Sequence, residues 1–205
     1  MLNDALTAFV TLLVVVDPVG IAPVFLSVTD DAVSERRAIA MRAPLIAATI
    51  LIGTAIGGNW LLNRLGIGLS AFRISGGILL FAIAFEMVLG TRSLREARQA
   101  ERAMTEHIRD VAAFPLAIPL IAGPGAITAT LLLAGRTAND FWALAVLIGI
   151  IVGVSGVCAV AFLLAEKVAQ ALGVTGNILL ARLLGVLLAA LAVQYVIDGS
   201  RTAFG

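Results

Sequence analysis

The sequence has very few of the residues on which metal sites and covalent catalysis depend. Its 205 residues include one cysteine, Cys158, and one histidine, His107. A single cysteine cannot form a disulfide within the chain, and zinc, haem and histidine-dependent nucleophilic sites need more of these residues than are present. The composition therefore argues against all of these classes of site.

Charged residues are scarce as well. Only 13% of the residues are charged and 60% are hydrophobic, whereas soluble domains are typically about 25% charged. The composition predicts an integral membrane protein whose surroundings are the lipid bilayer, with no nucleic-acid partner. The start of the chain carries Asp4 but no basic residue before the first apolar run, unlike a cleaved signal peptide, so we expect the first span to be retained.

Six apolar stretches are each long enough to cross a membrane, which takes roughly 20 residues at about 1.5 Å per residue. They lie at residues 5–28, 39–62, 66–89, 111–134, 141–165 and 177–198. The sequence thus predicts an all-α membrane protein with six transmembrane helices. We divide it into a first three-helix unit over residues 1–92, a charged cytoplasmic linker over 93–110 and a second three-helix unit over 111–205.

The linker is rich in arginine and acidic residues, and it contains His107. Ser93 and Glu96 fit a capping box, and Arg92 and Glu96 are spaced as an i, i+4 ion pair, so a short surface helix is predicted. The alternative is a helix that binds lipid head groups or a partner. We interpret the stretch as a solvated linker.

Basic residues are distributed unequally between the two sides of the predicted membrane. Loops after the first, third and fifth spans hold eight of them, and the opposite side holds three. The eight are Arg36, Arg37, Arg92, Arg95, Arg98, Arg102, Arg109 and Lys167, and the three are Arg64, Arg136 and Arg201. Because basic loops remain in the cytoplasm, we predict that both termini lie outside.

Two of the predicted spans contain residues that break helices. The first span holds Asp17, Pro18 and Gly20, and the fourth holds Gly123, Pro124 and Gly125. Proline lacks an amide donor and glycine lacks the Cβ that restricts the backbone. Irregular backbone persists at membrane depth only where protein, substrate or water satisfies its polar groups. We therefore expect the two breaks near the midplane to face each other and to form one solute site.

The two halves carry the same landmarks in the same order. Displacing the first half by 106 residues places Pro18 on Pro124, and displacements of 96 and 109 residues match the landmarks of the later spans. Gly53 and Gly57 then fall on Gly149 and Gly153, and Arg73, Gly76 and Gly90 fall on Arg182, Gly185 and Gly199. Since each unit has three spans, the second copy enters from the opposite face, so an inverted repeat is predicted.

The residues at each break indicate the chemistry of the site. Asp17 before Pro18 is the arrangement that starts a helix. A half-helix that begins at residues 123–125, with Thr128 one turn further, would direct free amides at a carboxylate or another anion. A carboxylate at mid-span costs about 2.5–3.5 kcal/mol, so we expect Asp17 to bind an ammonium group, a sodium ion or a proton; the alternative is that it only caps its half-helix.

Two arginines inside the spans have two possible roles. Arg73 and Arg182 either snorkel or bond a carbonyl, or they act as gates that meet a substrate carboxylate. Glu86 and Asp198 lie near span ends and are expected to be solvated at the interface. The paired glycines of the second and fifth spans are expected to be packing surfaces, within the chain or in a homo-oligomer.

Four motifs together resemble the landmarks of the MarC family, also called the SnatA or neutral amino-acid transporter family. They are Asp-Pro-Val-Gly at residues 17–20, Ile-Pro-Leu-Ile-Ala-Gly-Pro-Gly at 118–125, Arg-Ile-Ser-Gly-Gly at 73–77 and Arg-Leu-Leu-Gly at 182–185. The resemblance covers essentially the whole chain. It implies a small bacterial-type inner-membrane protein with six spans, in a family that includes transporters of glycine and alanine.

An inverted repeat with matched interruptions is typical of a secondary transporter with a site near the midplane. We predict cation-coupled transport of a small zwitterionic solute, a glycine-like or alanine-like amino acid, by alternating access, and no enzymatic activity. Asp17 would hold the amine or the coupling proton or sodium ion, and residues 123–125 would hold the carboxylate. The alternatives are a membrane assembly or stress factor without transport activity, and an ion channel, which needs a continuous polar stripe.

Overall fold

The computed structural model describes residues 2–30, 32–92, 95–98, 110–137 and 140–204, and no strand occurs in these ranges. The elements are α1 (Leu2–Val16), α2 (Ala22–Val28), α3 (Arg36–Arg64), α4 (Leu69–Leu89), α5 (Ala112–Ile121, a π-type segment), α6 (Pro124–Ala134), α7 (Phe141–Leu163) and α8 (Ala165–Phe204). The all-α prediction is confirmed for these residues. Ser93 of the predicted capping box and His107 lie outside the described residues.

Four helices have the length and hydropathy of membrane spans, namely α3, α4, α7 and the Thr175–Phe204 part of α8. The pair α5 and α6, bent by 57°, meets the same criteria as one broken span or a re-entrant loop. Helix α1 is apolar but has 15 residues, which at about 1.5 Å per residue fall short of the roughly 30 Å of hydrocarbon. By these criteria the described chain has four spans, or five with the bent pair, and the predicted first span is divided between α1 and α2.

The interrupted helices lie at the centre of the molecule and the long helices surround them. Leu12 of α1, Phe25 of α2 and Leu132 of α6 are almost completely buried. The long helices expose large apolar side chains, such as Leu45 of α3 and Leu183 of α8, as helices in contact with lipid do. The irregular backbone at the breaks is therefore shielded by protein.

Helices α4 and α8 form the most extensively packed pair. A Cβ on Gly185 would lie 2.9 Å from Cβ of Met87, and a Cβ on Gly199 would lie 2.9 Å from the carbonyl oxygen of Ser70. The end of α4 thus meets the middle of α8, and the start of α4 meets its last turns, so the two helices are antiparallel. Small residues allow the two backbones to approach this closely.

The glycines of α3 and α7 do not form the internal packing surface that the sequence predicted. Within the described part of the chain, no atom lies within 4 Å of a Cβ built on Gly53, Gly57, Gly149 or Gly153. The buried face of α3 carries mostly alanines, together with Leu51 and Gly58, whereas these four glycines are exposed. Contact of these glycines in a homo-oligomer remains a prediction.

Candidate functional site

The first helix break is shaped by Asp17. Its amide still donates to the Leu13 carbonyl oxygen at 2.9 Å, but a φ of +54° turns the backbone into the left-handed region, where α1 ends. Oδ1 of Asp17 accepts a hydrogen bond from the Gly20 amide at 3.0 Å. Aspartate is among the few non-glycine residues that adopt this conformation, because its short side chain can bond to the local backbone.

The second half-helix of this span begins later than the sequence predicted. The Ile21 amide donates to the Asp17 carbonyl oxygen at 3.1 Å, so Asp17 caps a turn that includes Pro18, and the regular helix α2 starts at Ala22. A Cβ on Gly20 would overlap the Asp17 carboxylate. Glycine is therefore required next to this cap.

The second break separates α5 from α6. Within α5, Phe114 and Ile118 are extended, as residues that precede proline commonly are. Gly123 is extended with ψ 174° and is the N-cap of α6, whose first residue is Pro124. A half-helix thus begins where the sequence predicted it. The amides of a first helical turn have no partner within the helix and carry a partial positive charge.

The two breaks are neighbours in the fold. A Cβ on Gly125 would lie 3.2 Å from Cγ1 of Val15 and would also overlap the side chain of Ile83 on α4. Val15 precedes Asp17 by two residues. The last turn of α1 and the first turn of α6 therefore meet, with α4 beside them.

A cavity of about 280 Å³ opens at this junction. Gly123, Pro124 and Gly125 of α6 lie in its wall, together with residues of α1, α4 and α5. The charged side chains of the wall are Glu86, Arg92, Arg95 and Glu96. Pockets for drug-sized ligands have roughly 300–1,000 Å³, so the volume of this cavity suits a smaller solute.

Arg92 connects the segment after α4 with the end of α1. Its Nε donates to Oε1 of Glu96 at 2.8 Å, and one Nη donates to the Val15 carbonyl oxygen at 2.8 Å. The other Nη lies 3.2 Å from the sulfur of Met87. Arg92 is 8% exposed and Glu96 is 7% exposed. A buried ion pair is stable only when the remaining donors and acceptors of both side chains also have hydrogen-bond partners. The Val15 carbonyl is such a partner for Arg92.

Glu96 is buried although it belongs to the predicted solvated linker, whereas the described linker residues 95, 97 and 98 are exposed. The predicted i, i+4 pair is confirmed, but its two side chains lie in the cavity wall. Burial raises the pKa of Glu96, and the neighbouring Arg92 opposes that rise. The burial of the pair could have been inferred from its position directly after an apolar span. Glu86 pairs with Arg95 at 2.9 Å, and its side chain is 33% exposed; its interfacial position stays a prediction.

Asp17 and Thr128 do not line the cavity. Asp17 is buried, and its carboxylate is close enough to Arg92 for an electrostatic interaction. Cγ2 of Thr128 would lie 3.0 Å from a Cβ on Gly76, so Thr128 packs against α4. The structure thus places the predicted site residues Gly123, Pro124 and Gly125 in the cavity wall. Asp17 lies outside the wall, two residues after Val15, which is part of it.

Arg73 and Arg182 lie toward opposite ends of the antiparallel α4–α8 pair. Arg73 lines a separate open cavity with Arg136 and Asp198. The Arg136 guanidinium lies 3.5 Å from the Asp198 carboxylate and 4.9 Å above the centre of the Tyr195 ring. Arg182 is exposed. The two predicted gate residues therefore do not meet at the cavity between the breaks.

Comparison with known proteins covers nearly the whole chain. A UPF0056 membrane protein of Methanocaldococcus jannaschii is 36% identical over 197 residues, 96% of this chain and 95% of that protein. One of Aquifex aeolicus is 37% identical over 195 residues, 94% and 90% of the two chains. No solved structure matches. A family model described as MarC family integral membrane protein matches residues 2–204, so the chain belongs to the MarC family of integral membrane proteins.

Proposed function

We propose that this chain is a secondary transporter of small neutral amino acids, such as glycine and alanine, and that it works by alternating access across the inner membrane. The observation that carries the proposal is the cavity of about 280 Å³ at the junction of the two helix breaks. Its wall combines basic side chains, acidic side chains and a helix N-terminus. Such a site offers a partner to each charge of a zwitterion and has room for a small side chain.

The helix ends at the junction support a zwitterionic substrate. Peptide dipoles make the N-terminus of α6 partially positive and the C-terminus of α1 partially negative. Discontinuous helices in secondary transporters use such ends to bind anionic groups and cations. The carboxylate of an amino acid suits residues 123–125, and its amine suits the side of α1. A simple ion would use only one of these ends.

The proposal includes six spans in two inverted three-helix repeats, with both termini outside. The antiparallel α4 and α8, as the third spans of the two repeats, support this arrangement, and so does the contact between the first spans at Val15 and Gly125. In this orientation the cavity lies toward the cytoplasm, the side of Arg92. Arg182 lies toward the same side and Arg73 toward the outside, where each is a candidate gate.

Asp17 is our candidate for the binding of the coupling cation. Its carboxylate is buried beside Arg92 and does not occupy the cavity wall. A proton or a sodium ion bound there would change the charge balance at Arg92 without competing for the space of the solute. Buried carboxylates in membrane spans commonly serve such ion pathways.

The proposal is tested by uptake of radiolabelled glycine and alanine into liposomes that contain the purified protein. Uptake is measured with an inward proton gradient, with an inward sodium gradient and with neither. We expect saturable uptake that one of the two gradients accelerates. Flux that does not saturate would indicate a channel, and uptake equal to that of empty liposomes would indicate a protein without transport activity; either result contradicts the proposal.

A further inference from the structure

We infer that Arg92 and Glu96 form the substrate-binding ion pair of the cavity. Arg92 binds the carboxylate of the amino acid and Glu96 binds its ammonium group, and the two side chains release each other when the substrate enters. The inference rests on the proposed transport function and assigns the two substrate charges to specific residues. Arg92 and Glu96 are 8% and 7% exposed, and both lie in the wall of the cavity.

The exchange keeps every buried charge paired. Without substrate, Nε of Arg92 donates to Oε1 of Glu96 at 2.8 Å. A zwitterion inserted between them replaces one ion pair with two and brings no net charge into the cavity. A buried charge that loses its partner is strongly unfavourable. A solute with only a carboxylate would leave Glu96 unpaired, and one with only an amine would leave Arg92 unpaired, so singly charged solutes of the same size should be rejected.

The backbone on each side of the pair fits the same orientation of the substrate. One Nη of Arg92 bonds to the Val15 carbonyl oxygen at 2.8 Å. This carbonyl lies at the partially negative end of α1 and becomes an acceptor for the ammonium group when Arg92 turns to the substrate. On the other side, the first amides of α6 share the carboxylate with Arg92.

The second ion pair in the cavity wall is less suited to this role. The side chains of Arg95 and Glu86 are 48% and 33% exposed. Water solvates such partly exposed charges and weakens their interaction with a ligand. Recognition of the two substrate charges therefore falls to Arg92 and Glu96.

The test uses two probes that each carry one substrate charge, propionate and ethylamine, as competitors of alanine uptake in proteoliposomes. Neither should compete in the wild type. Glu96→Gln should raise the KM for alanine about tenfold to a hundredfold, because one charge-assisted hydrogen bond is lost. Propionate should now compete, since the Arg92 Nε no longer donates to a carboxylate of Glu96. Arg92→Gln should raise KM similarly and make ethylamine a competitor. A purely structural role would not produce this reciprocal change.

Glu166→Gln is the matched control. Glu166 pairs with Arg36 at 2.9 Å, and its side chain is 68% exposed, so KM and the response to both probes should stay unchanged. For a variant that folds but does not transport, the same probes are compared by their effect on the Tm of the solubilised protein. The inference is overturned if the wild type transports alanine and neither variant gains its single-charge ligand. A wild type that takes up no alanine would overturn the proposed function itself.

Discussion

Asp17 has two roles that a single substitution can separate. Its left-handed backbone and its hydrogen bond from the Gly20 amide hold the turn between α1 and α2. Its carboxyl group is buried, within range of an electrostatic interaction with Arg92. The first role needs a short side chain with an acceptor atom, and the second needs a charge.

Asp17→Asn should preserve the fold and lower the initial rate of amino-acid uptake. Asparagine also adopts left-handed backbone readily and its side-chain oxygen can accept from the Gly20 amide, but the charge beside Arg92 is lost. We expect a decrease of about tenfold or more, the effect of one charge-assisted interaction. Thermal unfolding in detergent and uptake into liposomes are the measurements.

Asp17→Ala is the comparison for that experiment. It removes the cap as well as the charge, and it should lower the free energy of unfolding by about 1 kcal/mol or more. Asp17→Asn with the stability of the wild type and undiminished uptake would show that the charge has no role in transport, although the transport proposal itself would stand.

At the scale of the elements, glycines within the apolar helices have different surroundings. A Cβ on Gly77 of α4 would lie 2.7 Å from the carbonyl oxygen of Ala192 on α8. A Cβ on Gly53 of α3 would have no neighbouring atom within 4 Å among the residues that the structure describes. The sequence pattern is compatible with both situations. The difference depends on which face of each helix meets a neighbour.

Gly77→Ala should destabilise the protein and Gly53→Ala should not. The added methyl group at Gly77 meets backbone atoms of α8, so the helices must separate, at a cost of about 1–3 kcal/mol typical of overpacking. At Gly53 the better helix propensity of alanine should leave stability unchanged or raise it by up to about 1 kcal/mol. Thermal unfolding in detergent measures both variants, and equal losses of stability would contradict the close packing of α4 against α8 at Gly77.

For the whole molecule, the number of crossings depends on the bent pair α5–α6. If this pair crosses the membrane as one broken span, five spans separate residue 34 from residue 202. If it is a re-entrant loop, four spans separate them. If α5–α6 is a broken span, as in the six-span arrangement, residues 34 and 202 therefore lie on opposite sides of the membrane. If α5–α6 is a re-entrant loop, they lie on the same side.

Labelling with a membrane-impermeant maleimide distinguishes the two arrangements. Ser34 and Thr202 are exposed, and the native Cys158 is buried, so cysteines introduced at the two positions should react above a low background. We expect Thr202→Cys to be labelled in intact cells, and Ser34→Cys to be labelled only after permeabilisation. Labelling of both in intact cells would contradict the six-span inverted repeat, and the reverse pattern would contradict the orientation.

The sequence by itself determined the class of the protein and the positions of its helix breaks. Both follow from local rules, since low charge and long apolar runs require a bilayer, and proline or glycine changes the backbone wherever it stands. Residues 17–20 and 123–125 could therefore be assigned as breaks without knowledge of any neighbour.

The tertiary structure alone decided which side chains reach the cavity. Arg92 bonds to the Val15 carbonyl, 77 residues away along the chain, and it lies in the cavity wall together with Glu96. Asp17, whose sequence position suggested direct substrate contact, bonds instead to its own turn. Burial and pairing depend on elements distant in sequence, because a charge is satisfied or desolvated by whatever packs against it, and local residue patterns carry no record of that partner.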